Sequence, residues 1–405
     1  MGDTVSAELV ARVQQRLSAD PGDSRGEPTA AAVAAAVRAE AGVLVSDAQM
    51  LRFIRALQAE LVGAGPLAGL LQDVATTDVV VNGPNDVRVD RGHGWEATGV
   101  RFADDAAVQR LARRLAAAAG RRLDDARPFV DAALVDGTRL HAVLPPIAAD
   151  GTCLSLRVLR PAQFDLAALG RRGAFPPVVE TLLRRIVASR LAMLISGGTG
   201  TGKTTLLAAL LGAVDPAERI ITVEDAGELR PCHPHVLRLV ARTSNVEGAG
   251  GIDLRDLVRQ GLRMRPDRLV VGEVRGPEVV DLLIALNTGH RGGAGTVHAN
   301  SAGDVPARLA ALAALGGMSD AALAAQLPGA VQVIVQVERR TVGGRAVRRV
   351  CELAVPVVDG TGRVRVTTAY HHDGSPGPGA GVLVALLDGS EPGRRDVDRS
   401  PVVAP

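Results

Sequence analysis

The sequence has few aromatic residues and little net charge, and each shortage excludes some classes of function. Only 2% of its 405 residues are aromatic, so the side chains that stack on nucleic-acid bases are scarce. The 46 basic and 44 acidic residues leave a net charge of +2, which is too small to indicate binding to nucleic acid or to an anionic membrane. Composition therefore argues against nucleic acid as a partner.

Disulfide pairs and membrane spans are also missing from the sequence. Cys153, Cys232 and Cys351 are far apart and form no Cys-x-x-Cys pair, which argues against a disulfide framework or a zinc ribbon. The N-terminus lacks a basic region followed by an apolar stretch, and no run approaches the roughly 18 apolar residues of a membrane span. We expect a soluble, cytoplasmic protein with reduced thiols.

Changes in residue pattern divide the chain into four parts. An Ala-rich segment with helical spacing predicts a helical N-terminal extension over residues 1–62. Short apolar strands separated by Gly and Asn turns, and interrupted by a basic helix over residues 108–122, predict a smaller α+β domain at residues 63–165. Alternating helix and strand patterns predict an α/β domain with a mostly parallel sheet and a C-terminal hairpin at residues 170–372. Residues 373–405 are rich in Gly, Pro, Ser, Asp and Arg, which predicts a disordered tail.

The segment between residues 191 and 214 has the pattern of a phosphate-binding loop. An apolar strand leads into a Gly-rich loop, and an apolar helix follows it. Backbone amides in such a loop, together with the positive end of the helix, bind phosphate oxygens. We expect Lys203 to meet the β- and γ-phosphates of ATP and the Thr204 hydroxyl to coordinate Mg²⁺. The predicted ATP contacts are Gly197, Gly198, Thr199, Gly200, Thr201, Gly202, Lys203, Thr204 and Thr205.

Acidic residues follow two further strands. One apolar strand ends in Glu224 and Asp225, and another ends in Glu273. Ligands of open α/β sheets bind at the carboxyl ends of strands, so both groups should face the same crevice as the loop. We expect Glu273 and Glu224 to act in catalysis, and Glu224 and Asp225 to hold Mg²⁺ together with Thr204, partly through water. The sequence leaves open which of the two glutamates is the general base.

A Gly-rich segment over residues 289–300 contains two histidines. His298 follows an apolar strand, and we expect it to act in the site as a sensor of the γ-phosphate. His290 has two alternatives of equal weight, a role in the site or a cap on the preceding helix through a ring nitrogen.

The order of these motifs resembles that of the type II/IV secretion-system ATPases, and most closely the Tad/Flp pilus assembly ATPases of the CpaF or TadA type. The matching motifs are the loop at residues 197–204, an acidic box at residues 221–228, the strand ending in Glu273 and a histidine box at residues 288–301. The resemblance runs from about residue 61 to residue 337 and includes segments of the preceding domain.

The resemblance implies a RecA-like P-loop ATPase domain and an N-terminal domain that closes over the nucleotide. It implies that Arg139 and Arg157 reach the phosphates and stabilise their charge, although solvated strand arginines are the alternative. It further implies a homohexamer that docks on a polytopic inner-membrane platform protein at the inner face of the plasma membrane. Such a ring would use ATP and Mg²⁺ to power a pilus or secretion machine.

Two other functions remain compatible with the sequence. RecA-like rings also move DNA, so a conjugal DNA-transfer or helicase-like motor is an alternative. Low charge and scarce aromatic residues count against that alternative. The second alternative is a regulator that binds a nucleotide without hydrolysing it.

Overall fold

The computed structural model describes residues 63–159, 164–242, 250–342, 345–360 and 362–389, and before them only Arg12, Arg16, Ala35, Ala36 and Ala39. The chain divides into two compact units, Met1–Leu159 and Arg160–Pro405. Apart from those five residues, the predicted helical extension over residues 1–62 lies outside the described ranges. Among the described residues, no helix is both long and apolar enough to cross a membrane.

The first unit contains a six-stranded antiparallel sheet. Its strands are β1 (Asp78–Asn82), β2 (Val87–Asp90), β3 (Trp95–Ala97), β4 (Phe129–Ala133), β5 (Arg139–Val143) and β6 (Cys153–Arg157). They lie in the order β3-β2-β1-β6-β5-β4. Helices α1 (Ala68–Gln72) and α2 (Asp105–Ala118) accompany the sheet. Alternate strand residues such as Val79 and Leu156 are buried with Val108, Leu111 and Leu115 of α2, and these side chains form the core of the unit.

Helix α2 differs from the basic helix that the sequence predicts over residues 108–122. It begins at Asp105 because the carboxylate of Asp104 accepts a hydrogen bond from the amide of Ala107 at 2.7 Å and caps the first turn. It ends at Ala118, where the amide of Arg121 turns back to the carbonyl oxygen of Ala116 at 2.8 Å.

The second unit contains an eight-stranded sheet flanked by helices. The strands are β7 (Met193–Ser196), β8 (Ile220–Glu224), β9 (Val236–Val240), β10 (Arg268–Val274), β11 (Ala294–Val297), β12 (Val333–Val342), β13 (Arg345–Val358) and β14 (Val364–His371). The helices are α3 (Leu166–Arg171), α4 (Pro177–Ala188), α5 (Lys203–Leu211), α6 (Leu254–Arg263), α7 (Glu278–Asn287), α8 (Val305–Leu315), α9 (Asp320–Ala330) and α10 (Ala380–Leu387).

The strand order of this sheet is β14-β13-β12-β7-β11-β10-β8-β9. All neighbouring pairs from β12 to β9 are parallel. β13 and β14 extend the sheet as antiparallel strands, in the region where the sequence predicts a hairpin. The inner parallel strands β7, β8, β10 and β11 are buried almost throughout on both faces, as their continuous apolar runs predict, whereas the edge strand β9 is only partly buried. Met193 and Ile195 of β7 pack into one core, and Leu194 packs into the other.

The prediction of a disordered tail from residue 373 is wrong for its first part. Helix α10 lies within it, and its Leu383 and Leu387 are buried in the same core as Val355 and Ala369 of the sheet. The sequence shows an apolar island at residues 382–387 within this polar segment, and the island packs as a helix because the sheet offers a surface that buries it. Residues 390–405 lie outside the described ranges.

Candidate functional site

The Gly-rich loop connects β7 to α5, in the strand-loop-helix arrangement that phosphate binding requires. Gly202 adopts φ +95°, a left-handed conformation that favours glycine, and α5 begins at the next residue, Lys203. The hydroxyl of Thr201 donates to the carbonyl oxygen of Gly198 at 2.9 Å and closes the turn. The predicted ATP contacts thus lie together at the N-terminal end of a helix, where amides are available to phosphate oxygens.

Lys203 is the only lysine among the 46 Lys and Arg residues of the chain, and all the others are arginine. Its Nζ donates to the carbonyl oxygens of Gly197 at 2.9 Å and Gly198 at 2.8 Å, and it lies 3.4 Å from Nδ1 of His298. A compact ammonium with three donors suits these three acceptors, whereas a planar guanidinium does not. Burial lowers the pKa of Lys203, and the Glu273 carboxylate opposes this shift.

His298 joins Lys203 to Glu273. The Nε2 atom of His298 lies 2.9 Å from Oε1 of Glu273. Burial lowers the pKa of His298, Lys203 lowers it further, and Glu273 opposes both. Because an ammonium only donates, Nδ1 of the neutral ring is the acceptor and the proton is assigned to Nε2, facing Glu273.

Glu273 is also fixed from its other side. Its Oε2 accepts a hydrogen bond from Nη2 of Arg275 at 3.0 Å, and Nε of Arg275 lies 3.0 Å from Oδ2 of Asp225. Polar contacts therefore run along the carboxyl edge of the sheet from the loop, through His298 and Glu273, to Asp225. The convergence of these residues follows from the order of β7, β11, β10 and β8.

Glu224 does not share this network. Its side chain is 4% exposed, and burial raises its pKa to about 7. Oε1 accepts a hydrogen bond from the amide of Leu229 at 2.8 Å, and Oε2 is buried without a hydrogen-bond partner among the described residues. Two strands separate β8 from β7, which corresponds to roughly 14 Å at about 4.8 Å per strand spacing. Of the two candidate bases, Glu273 is the one that the fold brings to Lys203.

Among the described residues, no hydrogen bond joins the side chains of the predicted magnesium ligands Thr204, Glu224 and Asp225. The described part of the chain also holds no group of three or more His, Cys, Asp or Glu side chains suited to a metal. Mg²⁺ at nucleotide sites uses few protein ligands, together with phosphate oxygens and water. The partly exposed Thr204 at the start of α5 fits such a direct ligand. The buried, unpartnered Oε2 of Glu224 fits an acceptor for a metal-bound water.

The pairing of β10 with β11 is irregular at Glu273. The register shifts between Val271 and Val274, and the hydroxyl of Thr296 donates to the carbonyl oxygen of Gly272 at 2.6 Å. A Cβ atom at Gly272 would lie 2.6 Å from Cγ of Glu224, so no larger residue fits there. Sequence reasoning missed Thr296, because its hydroxyl gains significance only from this register.

Gln336 is a second residue that sequence reasoning missed. Its side chain is buried in β12 and accepts a hydrogen bond from the hydroxyl of Ser196, the residue before the phosphate loop. Its Nε2 donates to the carbonyl oxygen of Asn300 at 3.1 Å. Gln336 therefore connects the strand before the loop to the segment that follows His298. A polar residue within an otherwise apolar strand pattern was the available signal.

His290 is placed to cap the preceding helix, which is the second of the two alternatives that the sequence leaves open. Its Nδ1 lies 3.3 Å from the carbonyl oxygen of Ala285, in position to donate to the last turn of α7.

Arg139 and Arg157 lie directly opposite each other on β5 and β6 of the first unit. Nε of Arg157 lies 3.0 Å from Oδ1 of Asp78, and Nη2 of Arg139 lies 3.5 Å from Oδ2 of Asp131. The Arg157 side chain is 51% exposed and that of Arg139 is 31% exposed. The fold places the two predicted arginines side by side, and their contact with phosphate stays a prediction.

The chain is similar to a protein family, to individual relatives and to a solved structure, all from secretion, conjugation or pilus systems. The profile of the family described as "Type II/IV secretion system protein" matches residues 60–355. A Mycobacterium tuberculosis protein, whose name assigns it provisionally to conjugal transfer, is 58% identical over 350 residues, covering 85% of this chain and 98% of that protein. The type IV secretion system protein PtlH of Bordetella pertussis is 32% identical over 341 residues, covering 76% of this chain and 93% of PtlH. The crystal structure of the pilus retraction motor PilT with bound ADP shares the fold, with a TM-score of 0.53 and 21% identity over 73% of this chain and 83% of that one.

Proposed function

The chain belongs to the type II/IV secretion system protein family, and from this premise we propose that it binds and hydrolyses ATP to power a secretion or pilus-assembly machine. The observation that carries the proposal is the contact of the loop cation with a strand-end carboxylate through one imidazole. Lys203 lies 3.4 Å from His298, and His298 lies 2.9 Å from Glu273. Phosphate binding and water activation need this combination of groups in one place.

Lys203 and the amides at the start of α5 bind the β- and γ-phosphate oxygens in this proposal. The three donors of Nζ meet the carbonyl oxygens of Gly197 and Gly198 and the ring of His298, so phosphate binding requires an exchange of acceptors. When Lys203 moves towards phosphate, His298 loses its contact at Nδ1 while its Nε2 still faces Glu273. His298 thereby couples occupancy of the loop to the position of Glu273.

Glu273 is the proposed general base, since its Oε1 is adjacent to His298 and its Oε2 is oriented by Arg275. It accepts the proton of the attacking water or orients that water. Bound Mg²⁺ supplies positive charge at the phosphate oxygens. Thr204 would hold it directly, and Glu224 and Asp225 would hold it through water.

We extend the proposal to the assembly on the basis of the family motifs. The chain acts as a homohexamer in the cytoplasm, at the inner face of the plasma membrane, where a polytopic platform protein docks it. The machine is of the Tad/Flp pilus type, and the arginine pair of the first unit stabilises charge on the transferred phosphoryl group. Movement of the ring follows from hydrolysis at the P-loop.

A conjugal DNA-transfer motor is the second candidate, because the Mycobacterium tuberculosis relative carries a name that refers to conjugal transfer. A net charge of +2 and an aromatic content of 2% argue against extensive contact of this chain with DNA.

Steady-state phosphate release from Mg-ATP, with and without single-stranded DNA, tests both candidates. We expect turnover that DNA does not change, and no salt-sensitive retention of DNA on filters at about 150 mM salt. Salt-sensitive DNA retention together with stimulated turnover would favour the conjugal motor. Nucleotide binding without turnover would make the chain a regulator.

A further inference from the structure

The hairpin of β12 and β13 runs past the end of the strand that leads into the phosphate loop. β12 pairs with β7 only as far as Gln336, whose partner Ser196 is the last residue of β7. It then continues to Val342 alongside β13. The carbonyl oxygen of Val337 lies so close to Gly197 that a Cβ atom there would be 2.4 Å away. The hairpin beyond residue 336 therefore flanks the loop directly.

The two faces of this hairpin differ in charge. Residues directly opposite each other on paired strands have their side chains on the same face. On one face, the carboxylate of Glu338 lies 2.8 Å from Nε of Arg349, its cross-strand partner, and 3.7 Å from Nε of Arg340. On the other face, Arg339 is directly opposite Arg348. The Glu338 carboxylate thus lies on the first face, together with Arg349 and Arg340.

The face with Arg339 and Arg348 is the one that meets the loop. Nε of Arg348 donates to the carbonyl oxygen of Gly200 at 2.9 Å. Its Cδ would lie 3.4 Å from a Cβ atom at Gly202, so the side chain extends over the loop just before Lys203. Arg339 is exposed, and among the described residues its side chain forms no hydrogen bond or ion pair.

Two guanidinium groups lie directly opposite each other on the face that meets the loop, and Arg348 extends over the residue that precedes Lys203. Phosphate bound at the loop would reduce the repulsion between like charges that face each other across a strand pair. We propose that Arg339 and Arg348 form an anion-binding edge of the phosphate loop and donate hydrogen bonds to phosphate oxygens of the bound nucleotide. The inference rests on the proposed nucleotide binding. Guanidinium groups suit this ligand because their planar donors match phosphate oxygens and stay charged at any relevant pH.

The test is the dissociation constant of Mg-ATP for the full chain and three single variants, measured by calorimetric titration. Arg339→Ala and Arg348→Ala should each raise Kd about tenfold, as expected for the loss of a charge-assisted hydrogen bond. Arg340→Ala is the matched control, because it removes the same charge from the neighbouring position on the opposite face. It should leave Kd within about twofold of the wild type.

The Arg339→Ala variant shows whether the arginine pair binds the nucleotide or whether Arg348 only supports the loop. Arg348→Ala also removes the hydrogen bond to Gly200, whereas Arg339 has no described contact with the loop. A raised Kd for Arg348→Ala alone would overturn the proposal and leave Arg348 as a support of the loop. Equal effects of Arg339→Ala and Arg340→Ala, or no effect of either, would overturn it too. Failure of the wild type to bind ATP would instead refute the proposed function, so the two failures are distinguishable.

Discussion

The hydroxyl of Thr296 donates a hydrogen bond to the carbonyl oxygen of Gly272 at 2.6 Å, at the point where the register of β10 and β11 shifts. Gly272 directly precedes Glu273, so this hydrogen bond helps set the backbone position of the proposed base. Thr296→Val retains the shape and removes the donor, whereas Thr296→Ser retains the donor. We expect kcat about tenfold lower in Thr296→Val, near wild type in Thr296→Ser, and an ATP Kd within about twofold of wild type in both.

Phosphate release and equilibrium ATP titration separate these two quantities. Equal losses of kcat in the valine and serine variants would assign the effect to packing and not to the hydroxyl.

Lys203→Ala should abolish ATP-dependent phosphate release, because the phosphate charge then lacks its ammonium partner. Lys203→Arg should also be inactive, because a guanidinium does not fit the three-acceptor position. Lys203 is the only lysine, so amine acylation followed by mass spectrometry reports on this side chain specifically. Mg-ATP should protect it from acylation. Wild-type turnover in Lys203→Ala would refute the site.

Glu273→Gln should bind ATP nearly as the wild type does but lower kcat by about 10² to 10⁴, since the amide keeps the shape and lacks the basic oxygen. Glu224→Gln is the matched comparison, and its kcat should fall less, because no described contact links Glu224 to the loop. Single-turnover measurements on both variants provide the check. If the order of the two losses is reversed, the roles of the two glutamates must be exchanged.

Glu224 should make the stability of the nucleotide-free protein depend on pH. Burial raises its pKa from 4.5 to about 7, so the folded state holds a proton that the unfolded state releases. The stability linked to this group is complete below pH 4.5 and is lost as pH rises through 7. Calorimetric unfolding should show Glu224→Gln gaining roughly 3 kcal/mol relative to the wild type between pH 5 and pH 8. A difference that does not change with pH would contradict this assignment.

Arg139→Ala and Arg157→Ala should lower turnover much more than ATP affinity. Comparable arginines contribute about 10³ to 10⁵ to turnover because their contact strengthens in the transition state. Arg88→Ala is a suitable control, since Arg88 is an exposed strand arginine of the same unit that pairs with Asp86 at 2.8 Å. Unchanged turnover in both variants would leave these residues as solvated strand arginines, and thermal unfolding would detect variants that simply fail to fold.

Local pattern by itself determined the strand, loop and helix around Lys203 and the apolar runs that became buried parallel strands. Such features depend on neighbours in sequence, namely glycines where the backbone must turn and periodic apolar residues where it is buried. The same logic placed Glu224 and Glu273 at strand ends and could not rank them.

The proposed ranking rests on the tertiary structure, because the order β7-β11-β10-β8 puts His298 and Glu273 beside Lys203 and leaves Glu224 farther along the edge. Thr296, Gln336 and the arginine pair of the hairpin likewise acquire their roles from register. Helix α10 was missed for a related reason, since its short apolar segment becomes helical only where the sheet offers a surface to bury it. Strand order and register arise from contacts between residues distant in sequence, which no local pattern specifies.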